Sequence, residues 1–145
     1  MIGRPLDQKV FVAPQITTDD LDELHSEGFS ALICNRPDAE VSPDLSSDAI
    51  KAAAASKGFT FANVPLSSGG LTIELISAHL KAIDATDGKV LSYCASGTRS
   101  AYLWAFAMAL ADRLSDEEIL GAMEQAGYPS PGLGPQLDQV RSLSA

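Results

Sequence analysis

At 145 residues, 46% of them hydrophobic, the chain is sized for one domain (1–145) with a substantial core. A net charge of −9, with ten basic residues scattered along the chain, argues against nucleic acid and anionic membrane surfaces as partners. Two cysteines cannot build a disulfide framework, no basic-then-apolar leader opens the chain, and no apolar run nears the roughly 20 residues of a bilayer span. A reducing, cytoplasmic setting is therefore expected.

In chain order, "KVFVAPQ" (9–15) predicts a strand. "ITTDDLDELHSEGF" predicts a helix that starts at Thr17 or Thr18, with acids in its first turn and Gly28 as its stop. "SALICNRP" (30–37) reads as a strand buried on both faces and ended by Pro37, followed by an acidic loop. An alanine-rich helix (46–58) closes at Gly58. A third strand covers 59–66, and a helix with apolar residues at 73, 76, 80 and 83 covers 71–83. "KVLSYC" (89–94) is the fourth strand. This alternation predicts an α/β fold: a mostly parallel four-stranded sheet flanked by helices.

Ligands in such sheets bind beyond the carboxyl ends of the strands, which is where Cys94 falls. After it come Ala95, Ser96, Gly97 and Thr98, small enough for the backbone to curl with its N–H groups inward as an anion-binding nest. The next helix, starting near Arg99 or Ser100, aims its positive end at the same point. Those dipoles and the Arg99 guanidinium favour thiolate over thiol, so Cys94 is the expected nucleophile and residues 95–98 the expected substrate cradle. A hydroxyl at Ser100 is placed to donate to the sulfur. Cys34, by contrast, reads as plain core.

"CASGTRS" resembles the C-x-x-G-x-R-S loop of rhodanese-like sulfurtransferases and, more broadly, the C-x(5)-R-S/T loop of tyrosine and dual-specificity phosphatases. Through "VAPQIT", "NRPD" and "YCASGTRSA" the chain is most similar to a bacterial family, the phosphatase-like domain of β-lactamase-hydrolase-like proteins, also labelled a sulfur transferase family. That similarity is specific at those motifs and weak after about residue 112. It implies a tyrosine-phosphatase-like fold, a catalytic cysteine matched to Cys94 and an anion-binding arginine matched to Arg99. Because the family also occurs fused to a persulfide-dioxygenase-type metallo-hydrolase, it implies a persulfide dioxygenase as a partner in the same pathway.

The C-terminal third separates the two folds independently. "LSDEEILGAMEQAGY" (114–128) opens with Ser115 and Glu118 as a capping box, continues at helical spacing, and is followed by a turn and a last short helix rather than a strand. A rhodanese domain would return to the sheet; a phosphatase fold ends in helices. The helix "SAYLWAFAMALA" is apolar nearly all round, so Tyr102, Trp104 and Met108 read as core.

The loop departs from the phosphatase pattern in two ways. Four residues separate Cys94 from Arg99 where a phosphatase has five, so the ring of amides suits a phosphoryl group less well. The loop after the third strand, "SSGG" (67–70), holds no carboxylate to act as general acid, and none occurs between Asp48 and Glu74. Both departures favour sulfur transfer, whose leaving groups need no proton. In "NRPDAE" (35–40), Asp38 is a candidate acid or a group to orient Arg99, and Arg36 a candidate for anion binding; the plainer reading is a polar turn with the two paired locally. Tyr93 stands where many phosphatases have histidine. His25 and His79 read as ordinary helix residues, with no metal-ligand cluster and no cofactor expected.

Three functions fit. The first is a sulfurtransferase that carries sulfane sulfur on Cys94 from thiosulfate or a persulfide to a small thiol or cyanide. The second is a phosphatase forming a phosphocysteine from a phosphate ester. The third is a non-catalytic anion or redox sensor in which Cys34 and Cys94 approach each other.

Overall fold

The computed structural model describes residues 2–143. The elements run β1 (Arg4–Pro5), β2 (Val10–Ala13), α1 (Leu21–Ser26), β3 (Phe29–Cys34), α2 (Ser47–Ser56), β4 (Thr60–Asn63), α3 (Ile73–Asp84), β5 (Lys89–Tyr93), α4 (Thr98–Leu110), α5 (Asp116–Ala126) and α6 (Gly134–Leu143). The sheet order is β1-β2-β5-β3-β4, with every neighbouring pair parallel except β1 with β2.

The expected four-stranded sheet thus has five strands. The addition is an antiparallel edge of two residues, whose Pro5 suits an edge position where no ladder N–H is needed. Asp7 organises the turn behind it by accepting from the Lys9 and Val10 N–H groups at 2.8 and 2.6 Å, and its second oxygen accepts from the indole of the buried Trp104 at 3.1 Å. The predicted helix after Thr17 begins as one 3-10 turn (Thr18–Asp20) held by a Thr17/Asp20 capping box, then becomes α-helical.

Side chains along each strand alternate between two cores. Leu32, Cys34, Leu91 and Tyr93 pack under α1 and α2, together with Leu21, Leu24, Ile50 and Ala54. Ala31, Ile33 and Val90 face the other way, against α3, α4, α5 and α6. Helix α4 lies in the middle of this second layer and is buried from Ser100 through Ala109 except at the half-buried Tyr102, which explains its lack of a polar face. The chain ends in helices, and α5 opens on the Ser115/Glu118 capping box read from the sequence. Among the described residues no helix is long and apolar enough to cross a membrane.

The same alternation separates the two cysteines. Cys34 pairs in register with Tyr93, so both point to the α1/α2 side; Asn35 and Cys94, one residue further along each chain, lie toward the α3/α4 side. Cys34 and Cys94 thus point to opposite faces of the sheet, and both are free thiols.

Candidate active site

Cys94 stands one residue beyond β5, its N–H donating to the Ala13 carbonyl at 3.3 Å, and its side chain is fully buried. The chain then turns sharply. Gly97, at φ +96°, takes the left-handed conformation that glycine adopts without strain, and α4 starts at Thr98, one residue earlier than expected. The turn carries the Gly97 N–H to within 3.0 Å of Cys94 Sγ. A Cβ at Gly97 would overlap the Tyr128 hydroxyl, which donates to the Ser96 carbonyl at 3.1 Å. Tyr128 thus braces the loop from the segment after α5; nothing in its sequence surroundings marks it for that role. On the outer rim, the Ser96 and Thr98 hydroxyls are 3.1 Å apart.

Burial by itself would push the Cys94 thiol up. Hydrogen bonds from the Ser100 N–H and hydroxyl and from the Ser96 and Gly97 amides outweigh it, and Cys94 titrates below an ordinary thiol. Cys34 is buried as well, but there desolvation outweighs the hydrogen bonding from the Tyr93 side chain and the Arg36 backbone, and its thiol is pushed up; its own S–H donates to the Arg36 carbonyl at 3.4 Å.

Arg99 is held on two sides. Its guanidinium grips Glu40 in a bidentate pair at 3.0 and 2.8 Å and donates to the Leu66 carbonyl at 3.0 Å. Chiefly through its hydrogen bonds to Arg99, Glu40 is kept ionised below the usual carboxylate range, and Arg99 is raised in turn. Glu40, not Asp38, is the carboxylate that orients Arg99. The Asp38 carboxylate is occupied by the Ser47 N–H at 2.8 Å and the Ser47 hydroxyl at 3.0 Å, so it organises the start of α2. Arg36 bonds Gln15 and Glu40 at 3.3 and 3.4 Å rather than pairing with Asp38. Glu40, Leu66, Ser67, Ser68, Gly69, Leu71 and Arg99 line a cavity of about 450 Å³ beside the loop, open enough for a small substrate.

Ser100 is buried, and its hydroxyl donates to Asn35 Oδ1 at 2.7 Å. Asn35 also uses its amide, donating to the Val64 carbonyl at 2.9 Å and reaching His79 Nδ1 at 3.3 Å. His79, expected as an ordinary helix residue, is fully buried, and desolvation drives its pKa down to about 3, so the ring is neutral. Its place in the buried stripe with Ile76 and Ile83 is the sequence signal that marks it as inward-facing. Among the described residues no group of three or more His, Cys, Asp or Glu is placed to hold a metal ion.

Residues 4–111 match the family model described as "Beta-lactamase hydrolase-like protein, phosphatase-like domain". β-Lactamase hydrolase-like proteins from Xylella fastidiosa and Agrobacterium fabrum are 31% and 27% identical over 114 residues, 79% of this chain. The chain spans about a quarter of the length of these curated relatives, 26% in each case. A candidate phosphatase from Neisseria meningitidis superposes with a TM-score of 0.81 at 28% identity, covering 97% of this chain and 99% of that one. Tk-PTP in its active form (TM-score 0.72, 18% identity, 98% and 95% covered) and the human tyrosine phosphatase-like serine/threonine/tyrosine-interacting protein (0.73, 17%, 97% and 96%) share the fold. By sequence match and by architecture the chain belongs to the phosphatase-like domain family of the β-lactamase hydrolase-like proteins, with a protein-tyrosine-phosphatase-like fold.

Proposed function

We propose that the domain is a cysteine-dependent sulfurtransferase. Cys94 thiolate attacks the outer sulfur of thiosulfate or of a persulfide; the old S–S bond breaks, sulfite or a thiolate leaves with the electron pair, and Cys94 persulfide forms. A small thiolate acceptor then attacks the outer sulfur and displaces Cys94 thiolate, ready for another cycle. No step requires a general acid.

The observation that carries this reading is how tightly the loop closes on sulfur. Four residues between Cys94 and Arg99 leave a ring whose amides, with Gly97 N–H at 3.0 Å, point at Sγ itself. That arrangement stabilises sulfur as nucleophile and as leaving group, whereas a phosphoryl group needs open donors for its terminal oxygens. The carboxylates agree. Glu40 is held ionised against Arg99, Asp38 serves Ser47, and the Ser67–Gly70 turn has none, so an alkoxide leaving group finds no proton donor here.

A second reading, a phosphatase acting through phosphocysteine, is favoured by the fold and by aryl phosphates, which leave without a proton. Turnover of thiosulfate with an acceptor thiol, set against hydrolysis of p-nitrophenyl phosphate, decides between them. Sulfur transfer is expected to be much the faster, and inserting one residue between Ser96 and Gly97 to move the ratio toward phosphate. A wild-type preference for the aryl phosphate of tenfold or more, about 1.4 kcal/mol in barrier, would replace the first reading with the second.

A further inference from the structure

The Ser100 hydroxyl has one proton and two acceptors. It donates to Asn35 Oδ1 at 2.7 Å, and the same hydroxyl is among the groups that hold the Cys94 thiol down. Which way Asn35 faces is fixed by its other contacts. Its amide must present N–H to the Val64 carbonyl at 2.9 Å, which leaves Oδ1 for Ser100. The second amide hydrogen points at His79 Nδ1, which accepts it because the buried ring is neutral; its remaining nitrogen, Nε2, has no partner. The Asn35 backbone is bolted too, its N–H to the Tyr93 carbonyl at 2.8 Å and its carbonyl to the Leu66 N–H at 3.0 Å. A fully buried amide with every group committed is a rigid acceptor aimed at one hydroxyl.

We infer that Asn35, oriented by His79, is a positioning residue that competes with Cys94 for the Ser100 proton. With the sulfur as thiolate, the hydroxyl turns its hydrogen to Sγ. Once the sulfur is neutral in the covalent intermediate, the hydrogen returns to Asn35 Oδ1 and the hydroxyl is never left unsatisfied in the core. The proton stays on Ser100 throughout; only its acceptor changes. This inference rests on Cys94 being the nucleophile and is the same for sulfur or phosphoryl transfer.

The charged or titratable groups around Cys94 from the packed elements are Arg99 on α4, its partner Glu40 after β3, Tyr128 after α5, His79 on α3 and Cys34 across the sheet. None of them is altered in the test below. Alkylation of Cys94 by iodoacetamide is followed against pH by the mass of the Cys94 peptide, in wild type, Asn35→Leu, Ser100→Ala and the double variant. Without its rival acceptor, Asn35→Leu should react about three-fold faster at neutral pH, an apparent pKa lower by about half a unit. Ser100→Ala should react more slowly, and Asn35→Leu should then change nothing further. An equal effect of Asn35→Leu in both backgrounds, or a rise in pKa with Ser100 present, overturns the proposal. Where Asn35→Leu fails to fold, the isosteric Asn35→Asp reads the same coupling: its carboxylate should slow alkylation more with Ser100 present than in the Ser100→Ala background, and equal slowing overturns the proposal. Because no sulfur or phosphate substrate is used, the outcome is independent of which group transfer the domain performs.

Discussion

Cys34 and Cys94 are an internal experiment in thiol chemistry. Both are buried at the carboxyl ends of neighbouring parallel strands, yet one is pushed up and the other down. Desolvation is the largest influence on each. What differs is the chain that follows. After Cys34 the strand direction continues into Asn35 and Arg36, and hydrogen bonding from the Tyr93 side chain and the Arg36 backbone is too little to offset burial. After Cys94 the glycine turn folds the amides of the loop and the start of α4 back onto the sulfur. Burial alone raises a thiol's pKa; burial with converging N–H donors lowers it.

The largest effect should come from exchanging the two sulfurs for non-nucleophiles. Cys94→Ser is expected to abolish group transfer and fast alkylation, while Cys34→Ala keeps the wild-type rate within about two-fold, at the cost of the stability lost with a small core side chain. Steady-state turnover and thermal unfolding read the two apart, and loss of turnover in folded Cys34→Ala would break the contrast.

Arg99 comes next, the cation that Glu40 and the Leu66 carbonyl hold beside the Cys94 loop. Arg99→Ala should weaken sulfate binding by roughly tenfold or more, the cost of a lost charge-assisted contact of about 1.5–3 kcal/mol. Arg99→Lys should recover only part of it, because an ammonium cannot hold Glu40 and an anion in the same plane. Calorimetric titration with sulfate measures this, and a lysine variant equal to wild type would remove the planar fork from the account.

Gly97→Ala sharpens the comparison at the turn itself. Both Gly97 and Gly58 have positive φ, but a Cβ at Gly58 meets nothing within 4 Å while one at Gly97 runs into Tyr128. Gly58→Ala should cost about 1 kcal/mol of stability from backbone strain alone. Gly97→Ala should cost more and slow Cys94 alkylation as well, whereas equal losses at the two sites would mean that the Tyr128 contact yields freely.

One further effect is confined to acid and vanishes at neutral pH. His79 binds a proton near pH 6.5 when unfolded but only near pH 3 in the fold, so between these values the unfolded chain holds the extra proton. Stability should therefore fall as pH drops through that window, by up to about 1.4 kcal/mol per unit from this group. His79→Gln should flatten the slope in urea titrations at pH 4–6, and an unchanged slope would place the acid sensitivity elsewhere.

Much of this was legible in the chain. Apolar runs marked the four parallel strands, glycines the helix stops, and the capping box the start of α5. The two-residue strand β1 was not, because Arg-Pro has no strand pattern and is defined only by its partner. Within the site, Cys94, Gly97, Arg99 and Ser100 stand in one contiguous loop whose spacing is chemistry in itself. Glu40 was missed in favour of Asp38 because a loop has no periodicity to say which of two carboxylates two residues apart turns inward. The Asp38 partner Ser47 and the Glu40 partner Arg99 are 9 and 59 residues away, and only the fold brings them in. Likewise, Tyr128 reaches the loop from 32 residues beyond Ser96.

Intact mass reads whether Cys94 carries sulfur. Wild-type protein incubated with thiosulfate and no acceptor should gain one sulfur atom, located on the Cys94 peptide, released by a small thiol and absent from Cys94→Ser. Protein that gains no sulfur, yet forms a covalent phosphoryl adduct at Cys94 with an aryl phosphate, would contradict it.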